Sequence, residues 1–292
     1  MCDMWGNSIM IRYLLPVDQP LKERVKPYAQ FTKRSDIPKE TLIIKPIIVN
    51  KESIIKSIRK NFELNIIGYN EIKDFIILAI KAKMRDSSNK THILLSGAPS
   101  TSKTVFLDNL VNAIGPEIFF MFNGASLSKS GLIDFLAQHD ISKIKYIGID
   151  EIDKLEKDQQ TVLLRALESG VLQETKFKRA RTLEVSHVLW FATSNEIHKV
   201  IEPLKTRFRC INMPQYNEST LRNIAQIKLT KRHNFSKETT KTIIDECINN
   251  IDNCTVRDIV AIGDMIEDPQ RDLKTLIAVY DKYSFNNGEL EK

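Results

Sequence analysis

The sequence is poor in cysteine, with only Cys2, Cys210, Cys247 and Cys254 among 292 residues, and no two of them form a Cys-x-x-Cys pair. His92, His139, His187, His198 and His233 share no ligand spacing with them. No zinc site is implied. The cysteines read instead as small buried or half-buried thiols in a reducing compartment. Long apolar runs are also missing. Ser8 to Leu15 is cut by Arg12 and followed by Pro16, too short for a secretory core or a bilayer span. A soluble, cytoplasmic protein is expected. There is no internal repeat and no low-complexity tract.

What is present can bury a sizeable core: 42% of the residues are hydrophobic, and the length favours one large domain or two modest ones, of which two are expected. The net charge of +6 is unevenly placed. Residues 1–60 hold 12 Lys and Arg against 6 Asp and Glu, while residues 61–292 hold 31 of each sign. A basic arm ahead of a neutral body suits nucleic-acid contact, and equally suits a solvated leader. Residues 1–40 carry Pro16, Pro20, Pro27 and Pro38 among charges and read as irregular. From there apolar spacing predicts a strand at 41–49 and helices at 53–62, 71–84 and 103–114. Strands are predicted at 92–95, 117–122, 145–149 and 188–193, with a helix at 131–138. After Pro214 the pattern is helical throughout: 217–232, 237–249, 256–266 and 273–283. Strands alternating with helices predict an α/β fold with a parallel sheet covered on both faces, followed by an all-helical lid. The expected division is a basic leader at 1–60, an α/β domain at 61–214, and a lid with its tail at 215–292.

The loop Gly97-Ala98-Pro99-Ser100-Thr101-Ser102-Lys103-Thr104, with Val105 after it, follows a predicted strand and opens a predicted helix. That is the context of a phosphate-binding loop. Backbone N–H groups at the helix start favour phosphate. Lys103 would reach the β and γ phosphates, and the Thr104 hydroxyl would ligate magnesium. The glycine usual before the lysine is replaced by Ser102, for which ordinary helical torsions are expected. The second motif is an apolar strand ending in Asp150-Glu151. Its C-terminal edge should face the nucleotide, with Asp150 on magnesium and Glu151 as the general base for water.

On these two motifs the chain resembles the AAA+ ATPases, from about Phe62 to Met265. The resemblance implies a P-loop NTPase sheet sandwiched by helices, binding ATP and Mg2+. It also implies roles for further residues. Ile66-Ile67-Gly68-Tyr69 resembles the segment that packs on adenine, which brings in Ile67 and Gly68. Asn195, closing Ala192-Thr193-Ser194-Asn195, looks like the sensor 1 residue that positions the lytic water. Arg207, in Glu202-Pro203-Leu204-Lys205-Thr206-Arg207-Phe208, resembles the arginine finger, with Arg209 as its rival. A finger acting on a neighbour requires a homo-oligomer, expected as a hexameric ring. Thr255 and Asp258 read as a capping box, and Arg257 between them resembles sensor 2.

Leu167 to Val185 reads as a β-hairpin with a basic tip carrying Lys176, Phe177, Lys178, Arg179 and Arg181. These residues suit a phosphate backbone in a ring channel, a partner protein, or merely solvent. With the Pro-Ser-Thr-Ser loop and the Asp-Glu-Ile-Asp-Lys-Leu run, this stretch is similar to archaeal RuvB-like Holliday-junction helicases and, more distantly, to MCM motors. A RuvB carries a winged helix after its lid, whereas this sequence continues only from Glu267 to Lys292. Three functions stay open: a DNA helicase or translocase, a MoxR-like protein remodeller in which the hairpin and Phe119 to Gly124 meet a polypeptide, and an ATP-dependent assembly switch.

Overall fold

The computed structural model describes residues 51–176, 179–233 and 235–283, all within one unit, Val49–Lys292. Residues 1–50 of the expected leader, with the expected strand at 41–49, the hairpin-tip residues Phe177 and Lys178, Asn234 and the tail from 284 lie outside the described residues. Along the chain, α1 (Lys51–Asn65) and α2 (Asn70–Arg85) precede β1 (His92–Ser96), and α3 (Lys103–Ile114) leads to β2 (Phe119–Asn123). Next come α4 (Lys129–Gln138), β3 (Tyr146–Asp150), α5 (Lys157–Ser169) and the hairpin strands β4 (Val171–Lys176) and β5 (Arg179–Glu184). The sheet domain closes with β6 (Leu189–Ser194), the single turn α6 (Glu202–Lys205) and β7 (Phe208–Asn212). Four helices follow: α7 (Glu218–Arg232), α8 (Lys237–Asn250), α9 (Val256–Met265) and α10 (Pro269–Tyr283).

The main sheet has the order β2-β3-β6-β1-β7, with every neighbouring pair parallel. Successive side chains on a strand point to opposite faces, so a sheet covered twice must be apolar at every position. The three inner strands β1, β3 and β6 are buried along their whole length, with their polar residues His92, Ser96, Asp150, Thr193 and Ser194 standing at the strand ends. Leu94, Ile147, Ile149, Trp190 and Ala192 enter one core, and Ile93, Leu95, Tyr146, Leu189 and Phe191 enter the other. The lid has its own core, built on Leu229, Ile243, Cys247, Ile259 and Ile262.

Helix α1 shows how sequence spacing becomes packing. Ile54, Ile58 and Phe62 recur every four residues, are buried, and join the core that holds Phe106 of α3. Each such side chain contributes about 2 kcal/mol on burial. The helix is longer than the expected 53–62 and crosses residue 60. Three elements have no counterpart in the sequence expectations, α5, β7 and the single turn α6. β7 is an edge strand whose middle residues are exposed or half-buried, which removes its apolar run. α5 shows only a thin buried stripe of Gln160, Leu163, Ala166 and Leu167. Cys210 on β7 is exposed, against the expectation of covered thiols, while Cys247 is buried and Cys254 partly so. No described helix is long and apolar enough to cross a membrane.

His92, at the start of β1, is 3% exposed. Its Nδ1 accepts a bond of 3.1 Å from the Trp190 N–H, so the proton sits on Nε2, which is buried without a partner. Burial, helped by the cations of Lys83 and Lys90, lowers its pKa to about 3. The folded chain therefore refuses a proton that the unfolded chain accepts below about pH 6.5. The stability present above that pH is lost as pH falls toward the folded value, at about 1.4 kcal/mol per pH unit. Denaturant unfolding between pH 6.5 and 4.5 should show this slope in the native chain and a flatter one in His92→Gln.

Candidate functional site

The phosphate-loop residues bridge β1 and α3 in a strained turn. Gly97 has φ 151°, and a Cβ there would stand 2.4 Å from the Met213 carbonyl oxygen, so glycine alone fits. Ser100 and Ser102 have φ of 66° and 65°. The expectation of helical torsions at Ser102 is thus wrong: the residue is left-handed, the conformation that usually calls for glycine. The Tyr216 hydroxyl donates to Ser102 Oγ at 2.8 Å. Lys103 is 5% exposed and folds back, donating to the Gly97 and Ala98 carbonyls at 2.8 and 2.6 Å and to Thr101 Oγ1 at 3.1 Å. Burial lowers its pKa to about 8, opposed by the nearby carboxylates of Asp153, Asp150 and Glu151.

β3 delivers the acidic pair beside this loop. Thr104 Oγ1 lies 3.0 Å from both oxygens of Asp150, and Thr193 on β6 donates to Asp150 Oδ1 at 2.5 Å. A hydroxyl and a carboxylate are hard oxygen donors of the kind magnesium takes when phosphate and water complete its shell. Among the described residues no group of three or more His, Cys, Asp or Glu gathers to hold a metal. Glu151 leaves the strand with φ 55°, and its N–H donates to Thr193 Oγ1 at 2.9 Å. A Cβ on Gly124 would meet the Glu151 carbonyl oxygen at 2.2 Å, so that neighbour must also be glycine. Asn195 reaches Glu151 through Nδ2 at 3.4 Å from Oε1. Its own N–H donates to the buried Asp153 at 3.1 Å. The adjacency of β3 and β6 brings Glu151 and Asn195 together.

The lid closes the other side of a cavity of about 520 Å³, lined by Pro99 to Val105, Glu151 and Asn195 from the sheet domain and by Tyr216, Ile224, Lys228, Arg232, Val256, Arg257, Val260, Ala261 and Asp264. Arg257 is set by the expected capping box, in which Thr255 N–H donates to Asp258 Oδ2 at 2.9 Å. Lys228 and Arg232 went unnoticed in the sequence. Their signal is the i, i+4 spacing of two cations on α7. Lys228 has a lowered pKa, first from burial and then from Arg232 and Arg257. Arg232 pairs with Asp264 at 2.5 Å. Ile67 and Gly68 do not line the cavity. Ile67 packs behind it on Ile224, Val256 and Val260.

Arg207 is also absent from the cavity wall. It follows α6, is 45% exposed, and is ion-paired with Glu168 on α5, its Nε donating at 3.0 Å. Arg209 is exposed on β7, in register with Ile93. A buried amide fixes the approach to Arg207. Gln160 donates to the Leu155 and Lys199 carbonyls at 2.9 and 3.1 Å and accepts from the Ile201 N–H at 2.8 Å.

Comparison with known proteins agrees with this fold. Residues 58–213 match the family model described as the Holliday junction DNA helicase RuvB P-loop domain. The chain is 25% identical over 188 residues to the Holliday junction branch migration complex subunit RuvB of Acholeplasma laidlawii, an alignment covering 62% of this chain and 53% of that one. It is 26% identical to the Fusobacterium nucleatum counterpart over 63% of this chain and 57% of the relative. A mitochondrial Lon protease homolog of Phaeodactylum tricornutum is 29% identical over 56% of this chain, but over only 21% of its own length. The chain thus spans about half the length of the RuvB relatives and about a fifth of the Lon relative. A solved Thermotoga maritima RuvB mutant is similar in fold, with a TM-score of 0.54 at 18% identity over 73% of this chain and 70% of that one.

The lowered pKa of Lys103 has a measurable consequence. A polyphosphate favours the charged ammonium, so above about pH 8 binding must first take up a proton. Affinity for ATP, followed by fluorescence titration, should fall as pH rises through that value, approaching tenfold per pH unit. Affinity unchanged from pH 7 to 9.5 would contradict a role for the Lys103 ammonium in binding phosphate.

Proposed function

Because the chain belongs to the RuvB P-loop domain family of AAA+ ATPases, we propose that it hydrolyses ATP between copies of itself and uses the cycle to drive a DNA helicase or translocase. The observation that carries this reading is the convergence of Lys103, Thr104, Glu151, Asn195 and Arg257 on one cavity between sheet and lid.

In this reading the loop N–H groups at the start of α3 cradle the phosphates. Lys103 exchanges its three loop partners for β and γ oxygens. Thr104 and Asp150 hold magnesium, which supplies charge neutralisation on the phosphates when bound. Glu151 accepts a proton from the attacking water, and Asn195, in contact with that carboxylate, fixes the orientation of both. Arg257 bears on the phosphates from the lid. Arg207 lies off its own cavity, which supports service to a neighbouring copy, where it would stabilise charge in the transition state. Reaching a neighbour requires Arg207 to leave Glu168. The apolar wall of Ile224, Val256 and Val260 suits the base, with Ile67 as backing.

DNA as the substrate is supported by the RuvB relatives and by the charge pattern. Lys176, Lys178, Arg179 and Arg181 fall within six residues of sequence, and residues 1–60 carry twice as many cations as anions. Such contacts are sensitive to salt.

Glu151→Gln should retain ATP binding and lose turnover by about a hundredfold or more; ordinary hydrolysis by this variant would remove Glu151 from its role. In the native chain, the ATPase rate per subunit should rise with protein concentration and rise again with duplex or four-way-junction DNA, the second gain fading with salt. A rate indifferent to every DNA would shift the substrate to a polypeptide. Arg207→Ala and Glu151→Gln chains should each be inactive, yet an equal mixture should recover activity at about a quarter of its interfaces. No recovery would place the finger elsewhere, with Arg209 next to be tested.

A further inference from the structure

Ser102 takes a left-handed conformation at φ 65° and ψ 18° immediately before Lys103, and its side chain makes no capping bond to α3. A non-glycine residue is disfavoured there because its Cβ crowds the backbone carbonyl, so something outside the loop must hold it. The contact present is the hydroxyl of Tyr216, 2.8 Å from Ser102 Oγ. Tyr216 lies between the end of β7 and Asn217, whose side chain caps α7 by accepting from the Thr220 N–H at 2.9 Å. It is therefore part of the link on which the lid hangs.

The rest of Tyr216 is held by two other parts of the molecule. Its ring centroid is 4.9 Å from that of Tyr69, and the Tyr69 hydroxyl donates to the Pro214 carbonyl at 2.6 Å, tying the link to the start of α2. On the lid side the ring packs on the cluster of Ile224, Val256 and Val260. One residue thus places its ring against the lid and its hydroxyl on the phosphate loop.

We propose that Tyr216 is a positioning residue whose hydroxyl holds Ser102, and with it the loop ahead of Lys103, in the binding conformation, so that lid position and phosphate affinity are coupled. A lid displacement that carries the ring away breaks the bond and frees Ser102 to leave the left-handed region. Glycine at the same position would hold that conformation unaided. A serine there makes the loop depend on the lid. The coupling to phosphate rests on reading the cavity as a nucleotide site; the hold on Ser102 does not.

The test is a double-mutant cycle on the full chain with Tyr216→Phe and Ser102→Gly, followed by two readouts. In denaturant unfolding without nucleotide, Tyr216→Phe should lower the folding constant about fivefold with Ser102 present, equivalent to about 1 kcal/mol. It should have little effect in the Ser102→Gly background. In binding of a fluorescent ADP analogue, Tyr216→Phe should weaken affinity about five- to tenfold with Ser102 present and leave it nearly unchanged with Ser102→Gly. Equal losses in both backgrounds would overturn the proposal and leave Tyr216 as a wall of the cavity. Coupling in stability without any nucleotide binding by the native chain would overturn the nucleotide reading while keeping the hold on Ser102. Coupling in stability, but not in binding, would remove the link to phosphate affinity.

Discussion

Three segments far apart in sequence meet at the carboxylate of Asp150. Thr104, at the start of α3, donates to it from the phosphate loop, and Thr193 donates from the end of β6. Asp150 is 7% exposed, and a buried carboxylate is tolerated only when its oxygens are satisfied. The parallel registration of β1, β3 and β6 makes this possible by bringing three C-terminal strand ends to one edge. Loss of that register would move Glu151 and Asn195 as well, since each follows directly from a strand in the set.

The same edge concentrates unusual backbone. Ser100, Ser102 and Glu151 are left-handed, and Gly97 and Gly124 occupy places where a Cβ would collide with a carbonyl oxygen. Such conformations cost about 1–3 kcal/mol each and persist when the surroundings dictate them. At Glu151 the buried inner strands and the hydrogen bonds with Thr193 and Asp150 do so, and at Ser102 the contact from outside the loop is the Tyr216 hydroxyl. The strain aims chemical groups. At Glu151 it turns the chain so that the side chain faces Asn195 and the cavity.

Much of this was legible in the sequence, for definite reasons. Strands buried on both faces appear as unbroken apolar runs, so β1, β3 and β6 were found within a residue or two of their ends. The phosphate loop and the acidic pair mark themselves by residue type and by following such runs. β7 left no such trace, because an edge strand half open to solvent alternates with polar residues. Lys228 and Arg232 were hidden for a similar reason: on a lid helix, cations facing a cavity look the same as cations facing water. The torsions of Ser102 were misread because the outside contact that holds them comes from Tyr216, 114 residues later. Ile67 was expected at the base, yet it backs the residues that line the cavity.

The buried amide of Gln160 has a mechanical side. It satisfies backbone groups of residues 155, 199 and 201 at once, so helix α5 and the segment leading into α6 are clamped together. Glu168, at the far end of that helix, then grips Arg207 just beyond α6. Two polar contacts thus hold helix, segment and arginine together, the Gln160 amide near one end of α5 and the Glu168 carboxylate near the other. A displacement of α5 would therefore carry with it both the segment at residues 199–201 and Arg207.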